Sequence, residues 1–177
     1  PAGAAGDELG ISVAAVGDID GDGIDDFATG AHLDYTTTSY AGSVSVFSGA
    51  DCAALLKLTN PGAAYNDRLG YSVAGLVDVG GDGPPDIAAG AYLDDWPAAN
   101  NSGSVLVFSG ADGALLYTAR DLGGKSDDHL GIALAAVGDI DRDGITDFAA
   151  GADQDDTIGG SNAGSVVIFS GADGSVI

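Results

Sequence analysis

Two nine-residue stretches, Asp18-Ile19-Asp20-Gly21-Asp22-Gly23-Ile24-Asp25-Asp26 and Asp139-Ile140-Asp141-Arg142-Asp143-Gly144-Ile145-Thr146-Asp147, place carboxylates at positions 1, 3, 5 and 9 and glycine at position 6. That is chemistry for a hard cation. Calcium takes about six to eight oxygen ligands at roughly 2.3–2.6 Å, and alternate aspartates can wrap one where glycine permits the sharp turn. The position-7 carbonyls of Ile24 and Ile145 supply one more oxygen each. Without metal, the clustered carboxylates repel one another, so binding is expected to add directly to stability.

A third stretch, Asp78-Val79-Gly80-Gly81-Asp82-Gly83-Pro84-Pro85-Asp86, keeps Asp78, Asp82 and Asp86 and offers the Pro84 carbonyl, but carries Gly80 at position 3. It is expected to be a weaker, more hydrated calcium site. An EF-hand is excluded, because that loop ends in a bidentate Glu at position 12 between helices. Here position 12 is Thr29 or Ala150, and the flanks read as strands.

Composition agrees with a cation-binding surface. The 177 residues hold 27 acidic and 5 basic side chains, a formal net charge of −22. Nucleic acid and anionic membranes need clustered Lys and Arg, so both are excluded as partners. The alternative is a generic solvated acidic face, as in a salt-adapted protein. No apolar run is long enough to span a bilayer, and Pro1 opens without a leader-peptide pattern. The single Cys52 rules out an internal disulfide or a multi-cysteine metal site. It occupies the place of Gly113 and Gly174 in Ala-Asp-Gly and reads as a turn substitution.

Catalytic constellations are weak. His32 and His129 are the only histidines, and neither sits in a nucleophile–base setting. Gly123-Gly124-Lys125 lacks the spacing of a phosphate loop. The chain therefore reads as a non-enzyme. The alternative is an accessory or catalytic propeller of a secreted enzyme that cleaves polysaccharides or phosphoesters, using paired carboxylates.

The elements that must position the loops come in three copies of about 61 residues. Each opens with Leu-Gly (Leu9-Gly10, Leu69-Gly70, Leu130-Gly131), passes through an acidic loop to Asp-apolar-Ala-x-Gly-Ala, and closes with Gly-Ser-Val-x-apolar-Phe-Ser-Gly-Ala-Asp from Gly42, Gly103 and Gly164. The apolar runs are short, rich in Val, Ile and Phe, and separated by Gly and Asp, as strands joined by tight turns are. A fourth strand fits Ala54–Leu58 and Leu115–Thr118, and Asp112-Gly113 and Asp173-Gly174 suit two-residue hairpins. Ala and Gly dominate the first two strands of each copy, as expected where wedge-shaped sheets crowd around an axis. The expected fold is all-β: three four-stranded antiparallel propeller blades at residues 1–60, 61–121 and 122–177, the last strand incomplete. Since propellers typically have about four to eight blades, the ring closes either with more chain or between chains.

Leu-Gly, then Asp-x-Asp-x-Asp-Gly-x-x-Asp, then Gly-Ala resembles the FG-GAP repeat of integrin α-subunit propellers and of many bacterial surface or secreted proteins. The resemblance covers essentially the whole chain. It implies calcium in the hairpin between the first two strands of a blade, an extracellular setting, and adhesion or ligand binding. It also implies Asp18, Asp20, Asp22, Ile24 and Asp26 as ligands, with Asp139, Asp141, Asp143, Ile145 and Asp147 in the third copy. The opening Phe is Leu in all three copies, and the Pro of Gly-Ala-Pro is His32, Tyr92 and Asp153.

Further residues recur outside the loops. Asp34, Asp94 and Asp155 each follow the first loop aspartate by 16 positions, and either cap turns or form a second acidic rim for cations or a basic partner. Asp7, Asp67 and Asp128 precede Leu-Gly and read as turn residues. Tyr35, Tyr40, Tyr92 and Trp96 fall in variable loops, where aromatic faces can meet sugars or protein. Asn100-Asn101-Ser102 is a glycosylation sequon in a eukaryotic secretory host. Together these features point to a secreted or cell-surface, calcium-braced module that binds a protein or glycan ligand, with homo-oligomer formation open.

Overall fold

Short β-branched runs interrupted by Gly and Asp leave helices no room, and among the described residues the chain is strand and turn only. The computed structural model describes residues 3–96 and 99–177; Pro1, with the leader question attached to it, lies outside them. Eleven strands appear there: β1 Val13–Gly17, β2 Asp26–Ala31, β3 Ser43–Phe47, β4 Ala54–Leu58, β5 Leu69–Gly75, β6 Ile87–Ala91, β7 Ser104–Phe108, β8 Leu115–Ala119, β9 Leu130–Gly138, β10 Asp147–Ala152 and β11 Ser165–Phe169. Among the described residues no helix is long and apolar enough to cross a membrane.

All pairing within the sheets is antiparallel between sequence neighbours, giving sheets β1-β2-β3-β4, β5-β6-β7-β8 and β9-β10-β11. The fourth position of the last sheet is represented by one bridge, Phe169 with Val176, and by the Ile177 N–H donating to the Ile168 carbonyl at 2.9 Å. These are propeller blades.

Blades bury themselves on one another. The rear face of the first (Val16, Ala28, Val44, Val46) packs on the front face of the second (Leu69, Ile87, Leu106, Phe108). The rear of the second (Ala88, Val105, Val107) packs on the front of the third (Leu130, Phe148, Phe169). Small residues on the inner strands are required by this seam: a Cβ on Gly30 would stand 1.7 Å from the Gly70 carbonyl oxygen, and one on Gly90 2.0 Å from that of Gly131. Each seam also carries a hydroxyl bond, Ser12 Oγ to Gly70 O at 2.8 Å and Ser72 Oγ to Gly131 O at 2.6 Å.

The turn between the third and fourth strands differs from the two-residue hairpin expected from Asp-Gly. Ser109 pairs with Ala114 (N–H to O, 2.8 Å), so four residues form the connection, and only the last, Gly113, is left-handed at φ 77°. The side chains set that length: Ser109 Oγ accepts from the Ala111 N–H and Asp112 Oδ1 from the Ala114 N–H. Cys52 takes the same left-handed place at φ 62° and is exposed and free, a turn substitution as expected.

Candidate metal centres

The three acidic loops join the first two strands of their blades and lie at the same end as the four-residue turns. In the first, Asp18 Oδ1 accepts the N–H groups of Gly21 (2.8 Å) and Asp22 (3.0 Å), and Oδ2 that of Gly23 (2.9 Å). Asp20 and Asp22 each accept from the residue two positions on. The third loop repeats every one of these bonds from Asp139, Asp141 and Asp143. Glycine at position 6 is left-handed in both, Gly23 at φ 87° and Gly144 at φ 95°. Position 4 is left-handed as well, and there the third loop holds Arg142 at φ 69° where the others have Gly21 and Gly81.

This winding gathers like charges. One carboxylate oxygen from each of Asp18, Asp20 and Asp22 lies within 4.8 Å of the others, and the same holds for Asp139, Asp141 and Asp147 and for Asp78, Asp82 and Asp86. Loss of hydration first, and then the charges of Asp22, Asp26 and Asp18, push the Asp20 carboxyl above its ordinary value against the pull of the Asp22 N–H. Asp141 is raised the same way, with Asp143, Asp147 and Asp139 as its charged neighbours. Such a donor set of hard, mutually repelling oxygens fits a divalent cation. Asp26 and Asp143 stand outside these triads.

Asp26 has a second task that its spacing does not disclose. Its residue is 1% exposed; Oδ2 accepts the Ile19 N–H at 2.7 Å and Oδ1 accepts the Gly49 N–H at 2.9 Å. Asp86 does likewise with Val79, Gly80 and Gly110, and Asp147 with Ile140, Asp141 and Gly171. The position-9 carboxylate thus ties the acidic loop to the turn of the outer strands. Burial raises Asp86 despite these three N–H groups.

The second loop departs from the pattern where its sequence does. Pro84 has no N–H for Asp82 to accept, and Asp82 Oδ2 takes the Ser109 hydroxyl at 2.6 Å instead. A Cβ on Gly80 would meet Leu116 Cδ1, the end of a flexible side chain, at 3.2 Å.

Opposite the acidic loops, at the other end of the blades, Asp34 and Asp94 are structural. Asp34 is 4% exposed and accepts from the Thr36 N–H and hydroxyl, the Ser43 hydroxyl and, at 2.7 Å, Lys57 Nζ. Burial opposes its charge, but Lys57, Ser43 and Thr36 outweigh it and hold the carboxyl at about 2. Asp94 pairs with Ser104 and, at 2.9 Å, with Arg120. The idea of an open second acidic rim is therefore corrected at Asp34 and Asp94, whose charges are buried and neutralised by basic residues that the repeat alignment does not put in register. Asp7, Asp67 and Asp128 each accept an N–H three residues back, as turn residues do.

That same end carries the aromatics. Tyr35 and Tyr40 lie 4.7 Å apart, Tyr40 and Tyr65 6.1 Å, and Arg68 caps Tyr40 at 4.9 Å. Trp96 holds Arg120 at 4.8 Å. Tyr92 packs at a tilt against Tyr71, and with His32 and His129 the two form a row across both seams. Tyr65, Arg68 and Tyr71 were not singled out in the sequence; their positions flanking the second Leu-Gly were the available signal. His32 and His129 face Glu8 and Asp153 respectively.

A family model described as FG-GAP repeat matches residues 9–47 and 131–169. The middle copy, with Gly80 and Pro84-Pro85 in its loop, lies outside those matches yet builds the same four-stranded sheet. Integrin alpha-V of Gallus gallus is 35% identical over 97% of this chain and 16% of its own length. Integrin alpha-5 of Xenopus laevis is 31% identical over 95% of the chain and 16% of its own length. The chain thus spans about one sixth of the length of these relatives. Three equivalent blades, two family matches and a nearly full-length alignment to integrin alpha chains agree: this chain belongs to the FG-GAP repeat proteins.

Proposed function

We propose that the chain is an extracellular, calcium-braced propeller module for adhesion or ligand binding, made of blade units 1–60, 61–121 and 122–177. The observation that carries the calcium reading is the gathering of three carboxylate oxygens within 4.8 Å in equivalent loops. Asp18, Asp20, Asp22, the Ile24 carbonyl and Asp26 would hold one ion; Asp139, Asp141, Asp143, the Ile145 carbonyl and Asp147 a second. Asp78, Asp82, the Pro84 carbonyl and Asp86 form a weaker third site.

In this reading calcium holds the acidic loop, and the position-9 aspartate passes that rigidity to the outer turn. Strands held at both edges keep the opposite end fixed, so its loops present a preformed surface. The exposed Tyr35 (50%) and Tyr65 (69%), with Arg68 behind them, suit a protein or glycan partner. Cell-surface placement is supported by the likeness to integrin alpha chains and by the match between modest sites and millimolar extracellular calcium. The module works by association without turnover.

Isothermal titration with calcium tests the reading. Two equivalents of comparable affinity are expected, with a weaker third. The D18N and D139N variants should each remove one strong equivalent, and a wild-type chain that takes up no calcium at millimolar concentration defeats the proposal.

A further inference from the structure

The second acidic loop has the poorest ligand set, and its blade is also the one that leans on a neighbour. In the first and third blades the position-7 isoleucine braces the outer-turn glycine of its own blade. A Cβ on Gly49 would stand 3.3 Å from Ile24 Cγ2, and one on Gly171 3.1 Å from Ile145 Cγ2. The second blade has Pro84 at that position. The side chain beside its outer-turn glycine comes from the first blade instead, with Ile19 Cδ1 3.0 Å from a Cβ on Gly110.

Ile19 is bound to the first loop on one side and to the second blade on the other. It stands between Asp18 and Asp20, and its N–H donates to Asp26 Oδ2 at 2.7 Å. Its side chain is 8% exposed and belongs to the core that the first two blades share. Gly110 in turn donates its N–H to Asp86 Oδ1 at 2.9 Å, and Asp86 is one of the three carboxylates gathered in the second loop. A second contact runs beside this one. A Cβ on Gly17, the residue before Asp18, would stand 2.9 Å from Cγ of Pro85, the residue before Asp86. The next seam is built differently: Val77 holds the place of Gly17 and is 47% exposed, and Val79 holds that of Ile19 and is half-buried.

We propose that the first loop completes the second: a calcium ion held by Asp18, Asp20 and Asp22 raises the affinity of the Asp78, Asp82 and Asp86 cluster for its own ion, with Ile19 as the positioning residue between them. The inference rests on the calcium reading of these loops and adds their coupling. Without a cation, three like charges within 4.8 Å oppose the winding of the first loop, and Ile19 loosens with it. A bound cation fixes the loop, Ile19 and, through Gly110, the Asp86 carboxylate, so the second cation has less left to order. Two cations in neighbouring loops also repel. Both loops are open to solvent, however, and at about 0.15 M salt that repulsion is screened over roughly 8 Å. Ordering therefore sets the sign, and the coupling is reciprocal.

Calorimetric titration of the full chain with calcium in about 0.15 M salt tests it, the second-loop equivalent being the one that D82N deletes. D18N should weaken that equivalent roughly tenfold, within the usual range of couplings between sites, and D82N should weaken the first-loop equivalent by the same factor. I19A should weaken the second-loop equivalent alike, and D18N added to I19A should weaken it no further, while I19V should keep most of the coupling. Hydrogen exchange supplies a readout free of the second ion: in D82N, calcium should slow exchange of the Gly110 N–H, and I19A should abolish the slowing. Equal second-loop affinity in wild type and D18N overturns the coupling and leaves the calcium reading standing. Tighter second-loop binding in D18N, or a D18N loss undiminished in I19A, overturns it as well.

Discussion

Asp26 accepts the N–H of Gly49 across 23 residues of sequence, joining the acidic loop of a blade to the turn of its outer strands. Asp86 with Gly110 and Asp147 with Gly171 repeat the bond. A residue whose spacing marks it as a metal ligand is thus also the strut of its blade.

That dual role gives the first prediction. Asp86 sits in the loop with the poorest metal-binding set, is fully buried, and accepts three N–H groups. D86N replaces an acceptor oxygen by a donor there and should cost about 2–3 kcal/mol. Urea unfolding in chelator measures it; a loss seen only when calcium is present would make the carboxylate a metal ligand and no strut.

Arg142 is the one non-glycine at the left-handed fourth position of the acidic loops. The conformation costs a side chain about 1–2 kcal/mol, partly offset by the greater unfolded-state freedom of glycine. R142G should therefore stabilise the chain by about 0.5–1 kcal/mol, read from the same unfolding curves, whereas G144A should destabilise it.

The seams predict their own cost. S12A and S72A each remove one inter-blade hydroxyl bond and leave a glycine carbonyl without its donor. Each should lose about 1 kcal/mol or slightly more. The natural Ala133 shows that the blade itself folds without this hydroxyl, so the loss should appear as cooperativity between blades in hydrogen exchange.

Asp67 predicts the pH dependence. Burial first, then the charges of Asp94 and Asp95, push its carboxyl up to about 6. A folded-state value above the unfolded one means that the folded chain binds the proton more tightly. This contribution is complete below about pH 4 and is lost as pH rises through 6. D67N should flatten the wild-type stability curve between pH 4 and 6. Asp34, held at about 2, acts oppositely and only at lower pH, where its pair with Lys57 is lost as acid protonates it.

The repeat, the strands and the acidic loops were legible because each is a local pattern. Charge alternation marks Asp18 to Asp22, and Ala54–Leu58 returns as β4 with the same bounds. What the sequence hid is set by pairs far apart in the chain. Nothing local tells that Asp26 is shared with Gly49, that Lys57 and Arg120 reach equivalent aspartates from different strand positions, or that Ser12 serves the next blade. The Asp-Gly turn is longer than its dipeptide suggests for a related reason: the Ser109 and Asp112 side chains set its length.

Thermal unfolding with and without chelator, paired with native mass spectrometry to count bound ions, tests the central claim most directly. The account predicts two strongly held calcium ions per chain and a large fall in melting temperature when they are removed, with D18N and D139N each abolishing part of that difference. No bound calcium and superimposable melts would reduce the acidic loops to solvated turns and contradict the account.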